Sequence, residues 1–301
     1  MSAAIEVAAL HARFAGRTVL DDVSFTVPWG AVTGFIGVNG AGKTTTLRRI
    51  VGLDGRQGAP RAGIARVAGR AFEQLVDPCS VLGYCPDALG AAPGQSAAQH
   101  LEALALRARL GRDATRRALD DVGLTGATGR IRSFSLGMRR RLAIAGALLG
   151  APRVLVLDEP FDGLDPAGRR WLSERLREHA DRGGAVLLSA HALDEIEPLL
   201  DRVVCLHDGR VRFEGDTEAF LRSHAARVVL VRSLDQPRLA AALGAHGATV
   251  HARAGGAIAV RGLEALEIAR VGAAVDVLVT ELTPRRTTLS AAFGAAIEEL
   301  R

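Results

Sequence analysis

The run Gly37-Val38-Asn39-Gly40-Ala41-Gly42-Lys43-Thr44 constrains this chain more than any other stretch. It fits G-x-x-x-x-G-K-[ST]. It lies between Val32–Ile36, which reads as a short buried strand, and Thr44–Ile50, which carries helical apolar spacing. Strand, glycine-rich loop and helix in that order make a phosphate cradle. Glycines accept positive φ, so successive N–H groups converge on phosphate oxygens. The helix N-terminus adds unsatisfied donors and about half a positive charge. In such a loop Lys43 reaches the β- and γ-phosphates of a triphosphate, and the Thr44 hydroxyl ligates Mg²⁺. Composition sharpens the point: of 38 basic residues only Lys43 is a lysine. Where arginine serves everywhere else, this one position needs a compact ammonium on a flexible stem rather than a planar fork.

Triphosphate chemistry also needs a carboxylate for the metal and a group to orient water. Val154-Leu155-Val156-Leu157 is a continuous apolar run, as expected of a central parallel strand buried on both faces, and Asp158-Glu159 follow it directly. Ligands of open α/β sheets bind at the C-terminal ends of such strands. Asp158 is placed to hold the metal, and Glu159 to orient the attacking water or take its proton.

Strands are expected at Ile5–Leu10, Thr18–Leu20, Val23–Val27, Ala185–Ser189 and Val203–Leu206, with short strands broken by glycine and proline through 53–82. Helical spacing marks Gln99–Leu110, Ala114–Val122, Arg139–Leu149 and Trp171–His179. Alternating strands and helices imply an α/β sheet, interrupted here by a helical insert over about 88–150. Beyond residue 221 the pattern becomes a small α/β module. Its expected strands are Val228–Val231, Ala248–Val250, Ile258–Val260 and Val275–Val279, and its helices are Arg238–Leu243, Leu263–Ile268 and one in the tail Thr287–Arg301. Domains are therefore expected at 1–220 and 221–301. The chain of 301 residues is 48% hydrophobic, which excludes disorder and a disulfide-stapled scaffold. Cys79, Cys85 and Cys205 show no metal-ligand spacing and read as reduced thiols. The arginines are dispersed and balanced by 33 acids, so no nucleic-acid partner is expected. No apolar run reaches the roughly 18 residues of a membrane span, and Met1–Leu10 lacks the basic start of a signal peptide.

Val154–Pro160, read on through Phe161-Asp162-Gly163-Leu164-Asp165-Pro166, resembles the Walker B and D-loop stretch of ABC transporter ATPases. Phe134-Ser135-Leu136-Gly137-Met138-Arg139 resembles their signature motif, LSGGQ, and Ser189-Ala190-His191 resembles their switch-histidine loop. The resemblance covers 1–220 in the family's order. It implies a P-loop NTPase cassette with a RecA-like core, an antiparallel β subdomain and a helical signature subdomain. It implies ATP and Mg²⁺ as cofactors, and a homodimer on ATP binding in which the signature of one copy caps the γ-phosphate held by the other. The implied nucleotide-binding set is Phe14, stacked on adenine, with Gly37, Val38, Asn39, Gly40, Ala41, Gly42, Lys43, Thr44 and Thr45. Ser135, Leu136, Gly137 and Met138 act in trans, with Asp165 in the D-loop, and His191 contacts the γ-phosphate beside Glu159. The implied partner is an integral membrane permease that handles a small-molecule cargo, with the ATPase peripheral on the cytoplasmic face of the membrane.

Three positions depart from the usual pattern. The Ser135–Met138 form of the signature occurs in the bacterial multidrug and antibiotic exporter branch. Glu281–Arg286 with Leu289, Ala292 and Phe293 resembles the end of daunorubicin-type exporter ATPases. At the position of the glutamine that usually ligates Mg²⁺ stands Asp87, a shorter carboxylate that can reach the metal directly or through water, and Phe14 replaces the commoner tyrosine. The alternatives are an ABC importer ATPase, against which the signature and tail argue, and a soluble non-transport ABC ATPase. Repair ATPases of that kind carry a very long coiled coil where this chain has about 90 residues, and translation factors fuse two cassettes.

Overall fold

The computed structural model describes residues 3–14, 16–53, 62–224, 228–285 and 287–298, with only the backbone at Phe14, Arg112 and Ala254. The chain divides into two compact units, Met1–Thr217 and Glu218–Arg301.

The first unit holds two sheets over one core. β1 (Ile5–Phe14), β2 (Arg17–Val27) and, further along, β4 (Ala62–Val67) form an antiparallel sheet in the order β2-β1-β4. β3 (Ala31–Gly37), β5 (Leu82–Cys85), β6 (Val154–Leu157), β7 (Ala185–Ser189), β8 (Arg202–His207) and β9 (Arg210–Asp216) form the larger one. Its order is β5-β6-β7-β3-β8-β9, parallel except for β9. β6 and β7 are buried at every position, as the continuous apolar runs required. Ile5, Leu20 and Phe25 of the small sheet share a core with Phe35, Val156 and Leu206 of the large one and with Leu47 of the helix Lys43–Ile50. Phe25 and Phe35 stack at 5.2 Å between ring centroids. Each fully buried apolar side chain contributes about 1.5–3 kcal/mol, so the two sheets cannot separate cheaply.

Helices Ala97–Arg107, Arg112–Asp121 and Leu136–Leu148 form the insert between β5 and β6. Ser96 caps the first of them by accepting the Gln99 amide, and Gln99 returns the bond to the Ser96 amide. Pro166–Asp181 is a helix capped by Asp165, longer than the apolar spacing from Trp171 suggested.

Two expectations are corrected in this unit. Thr18–Leu20 and Val23–Val27 are one strand, irregular around Asp22 (φ 59°). Between 62 and 82 the only complete strand is β4, followed by a single turn at Phe72–Gln74 and a helical turn at Pro78–Val81; residues 54–61 lie outside the described residues. β9 has no counterpart among the expected strands, although Asp208-Gly209, both at positive φ (48° and 70°), is the hairpin turn that joins it to β8.

The second unit runs β10 (Val228–Ser233), helix Gln236–Ala245, β11 (Thr249–Ala252), β12 (Ile258–Arg261), helix Ala265–Ala274 and β13 (Val279–Arg285). The sheet order β11-β12-β10-β13 is antiparallel throughout. This is the split βαβ arrangement called ferredoxin-like. The expected strand at Val275–Val279 is a turn instead. Val275 caps the preceding helix, Asp276 turns at φ 52°, and Val277 is buried in the core of the unit, so the strand starts at Val279. The tail helix is Leu289–Glu298.

Candidate functional site

The phosphate loop, the acidic pair and the switch histidine all lie at the C-terminal edge of the parallel sheet. The glycine loop leaves β3, Asp158-Glu159 leave β6, and His191 follows β7, which pairs with both. A cleft of about 680 Å³ opens there, lined by Asn39, Gly40, Gly42, Lys43, Thr44 and Thr45, with Asp87, Glu159 and His191. Arg17–Val19 and Asp208-Gly209 complete its rim. Gly37, Val38 and Ala41 belong to the loop without lining the cleft. Phe14 ends β1 near this rim in sequence, but its side chain lies outside what the structure describes.

The loop holds its shape through backbone geometry. Gly42 precedes the helix Lys43–Ile50 at φ 109°, and a Cβ there would lie 2.5 Å from Leu20 Cδ2 and 3.1 Å from the Val19 carbonyl oxygen. Only glycine fits both the angle and the space. The Lys43 side chain folds back over the loop, its ammonium donating to the Gly37 carbonyl at 2.7 Å and to that of Val38 at 3.4 Å. Burial pulls its pKa down while Glu159 and Asp158 pull it up. An ammonium has three donors, and the loop engages two.

Asp158 and Glu159 are almost fully buried. Asp158 Oδ1 accepts the Ser189 hydroxyl at 2.7 Å, whereas Asp158 Oδ2 and Glu159 Oε2 have no hydrogen-bond partner among the described residues. Two buried, unpartnered carboxylate oxygens beside a phosphate loop fit a divalent cation and a water. Glu159 has φ 51°, a left-handed backbone that costs a non-glycine residue about 1–2 kcal/mol. Burial pushes its carboxyl up to about 6 against the opposing pull of His191 and Lys43. His191 Nε2 stands 3.3 Å from Glu159 Oε1. Ligand-capable atoms of Glu159, Asp162 and His191 all lie within 4.8 Å of one another.

The signature residues are elsewhere. Ser135, Leu136, Gly137, Met138 and Asp165 line a separate cleft of about 730 Å³ that shares no residue with the first. Ser135 caps the helix Leu136–Leu148, its hydroxyl accepting the Met138 amide at 3.2 Å, and its own proton stays available for a phosphate oxygen. Asp165 caps the helix Pro166–Asp181 through the Gly168 amide, which holds its carboxyl below the ordinary range. A Cβ on Gly137 would meet the Gly163 carbonyl oxygen at 2.8 Å, so the first turn of this helix packs closely on the backbone at Gly163.

Two residues without an assigned role in the sequence reading stand out. Ser189 is fully buried and bridges the two acidic residues. Arg140, in the helix after the signature, is also buried. It donates to the carbonyls of Asp162 (3.3 Å), Pro86 (3.1 Å) and Asp158 (3.3 Å), and its guanidinium lies 3.3 Å from Asp87 Oδ1. Asp87 thus has a cationic partner in the structure. In sequence Arg140 is one of three consecutive arginines, and nothing local singles it out.

Residues 20–162 match the family described as ABC transporter, and residues 227–290 match a domain of unknown function. An uncharacterized ABC transporter ATP-binding protein, YhcH of Bacillus subtilis, is 36% identical over 217 residues, 70% of this chain and 69% of that protein. The daunorubicin/doxorubicin resistance ATP-binding protein DrrA of Streptomyces peucetius is 34% identical over 244 residues, 77% of this chain and 71% of that protein. A solved structure of the ATP-binding subunit of an ABC transporter superposes with a TM-score of 0.63 at 31% identity, covering 73% of this chain and 92% of that one.

Proposed function

Given that the chain belongs to the ABC transporter family, as an ATP-binding subunit of the ATPases that power transport, we propose that two copies clamp two ATP molecules head to tail and drive a membrane permease. The observation that carries this reading is the separation of the two clefts. The phosphate loop and hydrolytic acids line one, the signature residues and Asp165 the other, so each copy offers two half-sites. A two-fold pairing of copies completes both sites at once. The export of a drug-like small molecule follows from the likeness to DrrA, whose name is that of a resistance protein. No helix among the described residues is long and apolar enough to cross a membrane.

In the mechanism, the amides of Gly40–Thr44 and the helix N-terminus hold the phosphates of ATP, and the free donor of Lys43 engages the γ-phosphate. Thr44 and Asp158 would hold Mg²⁺, which when bound neutralises charge on the phosphate oxygens. Glu159 accepts the proton of the attacking water as it closes on the γ-phosphorus, and the leaving group is ADP. His191, beside Glu159, donates to the γ-phosphate and fixes the carboxylate's orientation. Ser135 and the Gly137 amide of the second copy cover the remaining γ-oxygens, and Asp165 of that copy approaches the same site. Asn39 and Thr45 contact the nucleotide from the loop's two flanks, and Phe14 stacks on the base.

Purified protein with a co-expressed permease should show Mg²⁺-dependent ATP hydrolysis; inactivity, together with failure to hold any membrane protein on purification, would refute the reading. A base works only when deprotonated. With the Glu159 carboxyl at about 6, turnover should be level above that pH and fall as pH drops through it. A profile flat down to pH 5 would take the proton-accepting role from Glu159. Because Asp87 already faces Arg140, Asp87→Asn should leave the Mg²⁺ concentration for half-maximal activity within about twofold. A tenfold increase would put Asp87 among the metal ligands.

A further inference from the structure

Through one hydroxyl Ser189 reaches both acidic residues, the carboxylate of Asp158 and the backbone of Glu159. β6 and β7 are parallel neighbours with Leu157 beside Leu188, so the next residues, Asp158 and Ser189, fall side by side. The Ser189 hydroxyl donates to Asp158 Oδ1 at 2.7 Å and accepts the Glu159 amide at 2.9 Å. Its side chain is fully buried. Resting on the proposed ATPase reading, we propose that Ser189 is a positioning residue for hydrolysis, whose hydroxyl sets the Asp158 carboxylate and the Glu159 backbone together.

Three features of the site fit this role. With Oδ1 occupied by Ser189, the oxygen of Asp158 left unpartnered is Oδ2, so the hydroxyl decides which one is offered to a cation. The hydrogen bond that the Glu159 amide donates to the Ser189 hydroxyl restrains a residue whose φ of 51° is one that residues other than glycine rarely adopt. Strained backbone of this kind persists only where its surroundings over-determine it. Lastly, Ser189 stands two residues before His191, whose Nε2 lies 3.3 Å from Glu159 Oε1. The end of β7 therefore grips the acidic loop at two points, and a shift of the histidine loop on meeting the γ-phosphate reaches both carboxylates.

Removing the hydroxyl leaves two buried polar groups, one of them charged, without their partner. The test separates hydroxyl from volume with an isosteric pair, Ser189→Thr and Ser189→Val. Two readouts are taken: kcat and KM for ATP, and the affinity for a non-hydrolysable ATP analogue with and without Mg²⁺. Ser189→Thr should keep kcat within about threefold, while Ser189→Val should lose about 10- to 100-fold. Analogue affinity without Mg²⁺ should stay the same in both variants, and the tightening that Mg²⁺ brings should shrink in Ser189→Val alone. Wild-type kcat and Mg²⁺ response in Ser189→Val would overturn the proposal. So would equal losses in the two variants, which would indicate damage from the added methyl. If neither folds, Ser189→Ala is taken through the same assays, with impaired kcat and Mg²⁺ response supporting the proposal and normal values overturning it. Wild-type protein without ATPase activity would refute the proposed function, whereas normal wild-type activity beside an unimpaired Ser189→Val would refute only the role of Ser189.

Discussion

Glu159→Gln is expected to bind ATP as the wild type does and to hydrolyse it about 10²–10⁴-fold more slowly, the usual contribution of a placed base. Glutamine keeps the length and shape of the side chain, and it still offers an oxygen to the proton of water. What it lacks is the ability to keep that proton. The change also removes a buried charge whose carboxyl already sits high, at about 6, because of desolvation, so the fold should tolerate it. The measurement is a steady-state phosphate-release assay beside nucleotide binding. Hydrolysis by Glu159→Gln within tenfold of wild type would remove the residue from its role.

Lys43→Ala carries the second large effect. Its ammonium is the only lysine in the chain and is buried in the loop, held by the Gly37 carbonyl at 2.7 Å. A charge-assisted hydrogen bond to phosphate contributes about 1.5–3 kcal/mol, which corresponds to an ATP affinity weaker by about 10- to 100-fold. The loop carbonyls that Lys43 satisfies would turn toward water or toward one another, so the variant should also lose some stability. Arginine should not rescue binding, because the planar fork cannot fold back over the loop as the single-nitrogen head does. Unchanged ATP affinity in Lys43→Ala, measured by calorimetry, would contradict the cradle.

The parts of this site that were legible in the sequence are those in which chemistry and conformation are written into adjacent residues. Gly37–Thr44 states its own strand–loop–helix context, and Val154–Leu157 announces a buried strand whose end must carry the acids. The less legible parts depend on register between distant strands or on tertiary burial. Ser189 meets Asp158 only because β6 and β7 pair with Leu157 opposite Leu188. Arg140 becomes a buried bracket only once its helix lies against the loops at Pro86, Asp158 and Asp162. The left-handed φ of Glu159 has no signal, since glutamate gives no hint of that conformation. In the second unit the valines at 275, 277 and 279 alternate like a strand, yet only Val279 belongs to one, and Val275 and Val277 lie in the turn that closes the preceding helix over the core. Asp208-Gly209, by contrast, was a readable hairpin signal.

In the proposed dimer the two clefts of one copy are halves of sites completed by another. Its most direct test is the mass of Glu159→Gln in solution, by light scattering, at saturating ATP with Mg²⁺ and again without nucleotide. A mass near 63 kDa, twice the 31.6 kDa of one chain, is predicted with nucleotide, and Ser135→Arg in the same background should return it to one copy. A single-copy mass at saturating ATP and Mg²⁺, with the nucleotide shown to be bound, would contradict it.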